Sequence, residues 1–264
     1  MRSGSEQRLE FEAERSSIAA ACRVLAARGL ADGILGHISL RLDEDHLLVR
    51  CRGPEERGLA YTVTEDIRLV DLDGAEGAPG ELVGGYSVPN ELPLHTEVLR
   101  CRRDISAVVH AHPPAVVAAD LAGLRVRPVV GAFDIPGMRL ALGGVPVYPR
   151  GVLIRDRRLA QEMVAAMGDR PVVLLRAHGL TSTAESVEQA VLQAISVDTI
   201  SRMSLQVVSA GGTLVDLPEA DVAELPDLGS SFNTGIAWRH ELSRIGAFCE
   251  SSSSQQGISS EEQR

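Results

Sequence analysis

His110-Ala111-His112 closes a short apolar run, Ser106-Ala107-Val108-Val109, and is followed at once by Pro113-Pro114. The run reads as a β-strand, and a proline pair cannot continue the ladder, so the strand must stop there. Successive strand side chains alternate between faces, which puts the two imidazoles on the same side. Two histidines on one face at a strand end supply half of a metal site. Zinc and similar first-row ions take three or four nitrogen or oxygen ligands at about 2.0–2.2 Å, and a catalytic centre keeps one position open. Two surface histidines would give the same spacing, so the motif needs ligands from elsewhere in the chain.

A chain of 264 residues, 44% apolar and 23% charged, can bury a substantial core as one large domain or two small ones. Its formal net charge of −10 argues against a nucleic-acid partner, which needs a basic face, and equally against an anionic membrane surface. Residues 1–17 are charged and lack the apolar run of a signal peptide. No stretch approaches the roughly 20 apolar residues needed to span a bilayer. A soluble, cytoplasmic protein is expected. Cys22, Cys51, Cys101 and Cys249 are far apart, which excludes a cysteine zinc knuckle and suits reduced thiols. Aromatic residues make up 3% of the chain, so stacking platforms are scarce.

The spacing of Leu9, Ile18, Ala19, Cys22, Val24, Leu25 and Ala26 predicts an amphipathic helix over 6–29, with Gly29 at its C-terminal end. Alternation over 37–42 and 46–52, joined by the solvated turn Asp43-Glu44-Asp45, predicts an antiparallel hairpin. Another strand is expected over 62–72 and a glycine-rich loop over 75–88. A helix follows over 90–103, for which Asn90 is the candidate cap. Strand 106–112, helix 113–123, a proline- and glycine-punctuated stretch over 128–149, helix 156–167, strand 171–177 and helix 185–210 complete the body. After Gly211-Gly212 the chain reads as loop-rich. The division expected is a catalytic domain over 1–215, a C-terminal extension over 216–250 packing on that domain or on a neighbouring subunit, and a mobile tail over 251–264. The mixture of hairpins and interspersed helices predicts one α/β domain. No G-x-G-x-x-G follows a strand, which argues against a doubly wound nucleotide fold.

Further ligand candidates stand on both sides of the double histidine. Glu91 and His95 are four apart on the 90–103 helix and share a face. His178 follows Val172-Val173-Leu174-Leu175-Arg176-Ala177 and precedes Gly179, at the mouth of a buried strand. Glu91, His110, His112 and His178 would make a set of three histidines and one carboxylate suited to Zn²⁺, Mn²⁺ or Fe²⁺. His95 reads as a packing residue or a support for the ligands. In isolation His178 also reads as a strand-end histidine bonded to backbone.

Gly36-His37-Ile38-Ser39, Glu91-Leu92-Pro93-Leu94-His95, Val109-His110-Ala111-His112-Pro113 and Leu175-Arg176-Ala177-His178-Gly179-Leu180 occur in the order and spacing of the class II aldolase/adducin family. The chain resembles that family over roughly 10–215. The resemblance implies a three-layer αβα fold around a mixed, mostly antiparallel sheet. It also implies a divalent metal held by His110, His112 and His178, with Glu91 as ligand or acid/base. A homotetramer with active sites at subunit interfaces is implied as well.

The sugar-phosphate aldolases of the family carry Gly-Asn before Ile/Val-Ser, Thr-Gly after the next strand and Ser-Ser before the glutamate. The matching positions are read here as Gly36-His37, Thr64-Glu65 and Pro89-Asn90. A Glu65 carboxylate beside a phosphate would cost on the order of several kcal/mol at ~4 Å. The tyrosine proton donor of those aldolases has no counterpart, because Gly131-Ala132-Phe133 fills that stretch.

The run from His110 through Gly131–Met138 to Val145-Pro146-Val147-Tyr148-Pro149 instead resembles the family's decarboxylase branch. That branch acts on dihydroxyphthalate and 3-hydroxy-2-methylpyridine-4,5-dicarboxylate. The resemblance implies a non-oxidative decarboxylase of a small-molecule hydroxylated aromatic dicarboxylate, serving aromatic compound catabolism. Glu91 is then the first and His37 the second candidate proton carrier. Arg50 and Arg52, two apart on a predicted strand, could grip a carboxylate or simply edge the sheet. Ser39 and Asn90 are further substrate-binding candidates, Arg176 is a candidate interface ion pair, and Trp238 and His240 could reach a neighbour's site. The alternatives are an aldolase on an unphosphorylated hydroxy-acid or sugar, an Fe(II) oxygenase on the same fold, and an adducin-like scaffold without catalysis.

Overall fold

Seven strands form one mixed sheet in the computed structural model, which describes residues 11–256, with side chains to residue 246. They are β1 (His37–Arg41), β2 (His46–Arg50), β3 (Ile67–Asp71), β4 (Ala107–Ala111), β5 (Val147–Tyr148), β6 (Val172–Leu175) and β7 (Gly179–Ala184). Their order across the sheet is β3-β2-β1-β4-β7-β6-β5. Only β5 and β6 run parallel; every other neighbouring pair is antiparallel. The β1–β2 turn is held by Asp43, whose carboxylate accepts the backbone N–H groups of Asp45 and His46 at 2.8 Å each.

Helices cover both faces and make three layers, as the family resemblance implied. On one face α1 (Glu12–Ala27), α3 (Pro114–Leu121), α4 (Ile135–Ala141) and α6 (Val187–Ser209) bury Ile18, Leu25, Val116, Ala190 and Val197 against Ile38, Val109, Leu174 and Leu180. On the other, α2 (Leu92–Cys101) and α5 (Arg157–Met167) bury Leu94, Val98, Leu159 and Met163 against Leu47, Val49, Val108 and Val173. Val108 and Val109 thus serve opposite cores, which explains why β4 reads as a continuous apolar run instead of an alternating one.

Several elements differ from the sequence expectation. The strand expected from residue 62 begins at Ile67, because Thr64–Asp66 form a 3-10 turn in which the Asp66 carboxylate accepts the Val63 N–H at 3.0 Å. Asn90 does not cap α2; the N-terminal position is taken by Glu91, with no side-chain cap. The punctuated 128–149 stretch contains α4, capped by Asp134 accepting the Gly137 N–H at 2.9 Å. Pro136 is harmless there because the first helical turn has no use for its missing donor. Strand β7, where the sequence expectation assigns no element, is a fully buried strand beside β4.

The loop-rich reading after residue 211 also gives way. α7 (Glu219–Glu224), a π-helical turn at Ser231–Ile236 and α8 (Ala237–Gln256) follow. Trp238 packs on the α1/α6 core, and Arg28 Nε donates to Glu241 at 2.7 Å. α8 takes in residues 251–256 of the expected tail. The remainder, 257–264, lies outside the described residues, as does Leu9 of the first helical stripe. No helix among the described residues is long and apolar enough to cross a membrane.

Gly179 sets the start of β7 directly against the backbone at the end of β4, where the double histidine leaves the sheet. A Cβ on Gly179 would stand 2.2 Å from the Ala111 carbonyl oxygen and 3.1 Å from His112 Cα. Both of those atoms are backbone, so neither can swing away. Gly179→Ala is therefore expected to push the strands apart and destabilise the fold by about 1–3 kcal/mol, read as a lower urea midpoint at unchanged slope. An unchanged midpoint would show that this packing does not require glycine.

Candidate metal centre

Adjacent strands bring the expected ligands together. In the β1–β4 ladder His37 stands opposite His110, and in the β4–β7 ladder His110 stands opposite Thr181. His110 is fully buried, and its Nδ1 lies 3.0 Å from the Leu180 carbonyl oxygen. Only a donor can face a carbonyl, so Nδ1 carries the hydrogen and the Nε2 lone pair points the other way. His112 lies just beyond β4, where its backbone N–H donates to Leu30 O at 2.9 Å. Its Nε2 is 2.7 Å from His110 Nε2.

His178 sits in the β6–β7 turn, which demands a left-handed backbone at Ala177, φ 52°. Asp120 of α3 holds that turn: its carboxylate accepts the Ala177 N–H at 2.8 Å and lies 3.6 Å from Arg176. The sequence reading did not single out Asp120. Its signal is one acid within an otherwise apolar helix, buried to 6% exposure. Arg176, expected at an interface, has this partner within its own chain. Glu91 heads α2; its Oε1 accepts the Ile154 N–H at 2.8 Å, leaving Oε2 3.3 Å from His110 Nε2 and 3.6 Å from His178 Nε2.

One ligand atom from each of Glu91, His110, His112 and His178 lies within 4.8 Å of all the others. That span is about twice a zinc–nitrogen bond. With His110 Nδ1 committed to a carbonyl, its Nε2 lone pair faces a second imidazole nitrogen and a carboxylate oxygen, a convergence of acceptors that a cation relieves. The residues fit a divalent metal on this ground. Burial first, and then the neighbouring His110 and His178 imidazoles, push His112 down to about 3. Burial alone would raise Glu91, but the adjoining His110 and His178 imidazoles hold it well below the usual carboxylate range. A neutral imidazole and an ionised carboxylate are the forms that ligate.

A second file of polar groups reaches the cluster. His37 Nδ1 is 2.7 Å from His95 Nε2, and His95 Nδ1 is 2.7 Å from Ser39 Oγ. The His37 ring centroid is 4.9 Å from those of both His95 and His110. Burial foremost, with the His95 and His110 imidazoles, holds His37 well below the ordinary histidine value. Burial, with His110, brings His95 to about 3.

Other expected site residues fall elsewhere. Ser39 is fully buried and bonded to His95, so it is not open to a substrate. Asn90 is exposed and lines a surface groove with Asp73, Thr96, Glu97 and Arg100 that includes none of the four ligands. Val49 pairs with Ser39, so Arg50 is turned to the opposite face of the sheet, where its guanidinium pairs with Glu56. Arg52 is half-buried just past β2, bridged to Ser87 by two backbone hydrogen bonds of 2.9 Å. It takes the place directly after the second strand with Gly53. Glu65 is exposed in its 3-10 turn, so the like-charge argument against a phosphate does not apply at that place. Trp238 belongs to the α1/α6 core, and His240 is exposed beside Arg28 and Phe133.

Residues 16–205 match the family model described as the Class II Aldolase and Adducin N-terminal domain. The chain is 77% identical over 233 residues to a 3,4-dihydroxyphthalate decarboxylase of Arthrobacter keyseri, covering 88% of this chain and 94% of that protein. It is 67% identical over 236 residues to a 3,4-dihydroxyphthalate decarboxylase of Terrabacter sp., covering 89% and 98%. Among solved structures, an aldolase II superfamily protein from Pseudomonas syringae superposes with a TM-score of 0.73 at 24% identity, covering 92% of this chain and 98% of that one. This last likeness concerns the fold alone.

The buried histidines make stability depend on pH in a definite direction. An unfolded histidine titrates near 6.5, whereas His95 and His112 stay neutral in the fold down to about 3. Between those values the unfolded chain binds more protons, so stability is complete above about 6.5 and is lost as pH falls towards 3. Glu91 adds a loss of the same sign below its ordinary value of 4.5. Urea unfolding of the chelator-treated protein should show a decline of about 1.4 kcal/mol per pH unit for each histidine. A flat profile from pH 7 to 4 would reject the neutral cluster.

Proposed function

The chain belongs to the class II aldolase and adducin family, and from that premise we propose that it is a divalent-metal-dependent carboxy-lyase. Its substrate on this reading is 3,4-dihydroxyphthalate, which loses carbon dioxide without oxidation to leave a dihydroxybenzoate. The observation that carries the reading is the cluster of Glu91, His110, His112 and His178, found in a chain 77% identical to a protein with that activity.

His110, His112 and His178 would hold the metal through imidazole nitrogens, with the Glu91 carboxylate beside them free to carry a proton. When bound, the ion would supply a Lewis acid and a template for neighbouring substrate oxygens. Zn²⁺, Mn²⁺ and Fe²⁺ all suit these donors. Glu91 is ionised at rest, so Oε2 can accept the proton that a catechol hydroxyl gives up. Departure of carbon dioxide leaves an electron pair on the ring carbon, and the same Oε2 can return the proton there. The Ile154 N–H keeps Oε1 fixed during both transfers. Arg52 is the arginine left to meet a substrate carboxylate, since Arg50 is committed to Glu56. The same reading includes a homotetramer in the cytoplasm with the site at a subunit boundary. Ile34 at 48% and Leu35 at 43% exposure, immediately before His37, support contact there.

Metal-loaded protein given 3,4-dihydroxyphthalate in D2O should release carbon dioxide and place one deuterium at the vacated ring carbon. Glu91→Gln should lower the rate by about 10²–10⁴. His110→Ala and His178→Ala should lose bound metal by elemental analysis. Unchanged metal content in both would reject the site, and aldehyde release without carbon dioxide would reject the reaction. Native mass spectrometry giving a monomer would reject the assembly.

A further inference from the structure

Ser39, His95 and His37 form a file with a closed end and an open end. Ser39 and His95 are fully buried, while His37 keeps 6% of its surface. Among the described residues Ser39 Oγ has one hydrogen-bond partner, His95 Nδ1 at 2.7 Å. A hydroxyl has one proton to give and two lone pairs to offer. A buried proton without an acceptor carries the full desolvation penalty, and a spare lone pair costs less. The Ser39 proton therefore points to His95 Nδ1. With Nδ1 accepting, neutral His95 carries its own hydrogen on Nε2 and donates to His37 Nδ1 at 2.7 Å. His37 then keeps its hydrogen on Nε2, at the other edge of the ring, and that ring stands 4.9 Å from His110.

The geometry points to Ser39 and His95 as positioning residues that lock His37 in the Nε2–H tautomer, presenting a neutral donor to an anionic oxygen of the substrate. The carboxylate of an aromatic diacid is the ligand class it suits, and that identification rests on the decarboxylase reading. A neutral N–H is the donor compatible with a divalent cation nearby, since an imidazolium there would be repelled. A reversed file would turn a lone pair towards the carboxylate and oppose binding. Polarity is thus set at the closed end, by a serine that touches no substrate.

Zinc-loaded protein labelled with [15N]histidine tests the file through two-bond 1H–15N correlations, with His37 assigned by loss of its signals in His37→Gln. The wild type should show His37 protonated at Nε2. Ser39→Ala should give a tautomer mixture at His37 and a KM for the diacid raised about 3- to 10-fold, as expected for one neutral hydrogen bond, with zinc content unchanged. Ser39→Thr, which keeps the hydroxyl, should restore both readings. A wild-type His37 protonated at Nδ1, or His37 signals unmoved in Ser39→Ala, would overturn the assignment. Failure of the wild type to consume the diacid would instead reject the decarboxylase reading, while the nitrogen spectra would still decide the tautomer.

Discussion

The antiparallel pairing of β4 with β1 on one side and β7 on the other is the constraint from which the site follows. β4 carries His110 and ends at His112, β1 places His37 opposite His110, and β7 begins just after His178. None of these strands is next to the others in sequence. Side-chain alternation then decides what each strand delivers: a shift of one residue in either ladder would send His37 or His110 to the opposite core. Ligand convergence and core packing are therefore the same requirement, met by one register.

Burial around that register sets the charge states. Burial holds His37 and His95 neutral at neutral pH and, with the His110 and His178 imidazoles, does the same for half-buried His112, while Glu91 stays ionised among imidazole nitrogens. A cluster of lone pairs and one negative charge is unstable by itself and complete with a cation. The fold supplies the compensating order through backbone groups. Leu180 O fixes the His110 tautomer, the Ile154 N–H holds one oxygen of Glu91, and Leu30 O receives the His112 N–H. The folding energy of two hydrophobic cores thereby pays for holding like-natured acceptors face to face.

Much of this was legible in the residues. His110-Ala111-His112 before two prolines marks a strand end with both rings on one face, and the family resemblance adds Glu91 and His178, which the local pattern alone leaves open. The α/β layering was accessible because α1, α5 and α6 carry clear helical periodicity. What stayed hidden depends on register and on partners distant in sequence. Gly179–Ala184 is rich in hydroxyl side chains and looks like a turn, yet it is buried because β4 and β6 flank it. Arg50 and Arg52 read as one strand face, but β2 ends at Arg50; the pairing of Val49 with Ser39 turns Arg50 away from the ligands, while Arg52 lies beyond the strand. His95 and Ser39 are 56 apart, and no local pattern announces their contact.

Asp120 links one metal-ligand candidate to a helix that otherwise only packs. Through the Ala177 N–H it fixes the turn from which His178 projects, so the position of that imidazole is inherited from the seating of α3 against α6 and β7. Ligand geometry is then adjustable from a distance. Volume changes beneath α3, among residues that never meet solvent or substrate, would retune how tightly the cation is gripped while the coordinating side chains themselves stay the same.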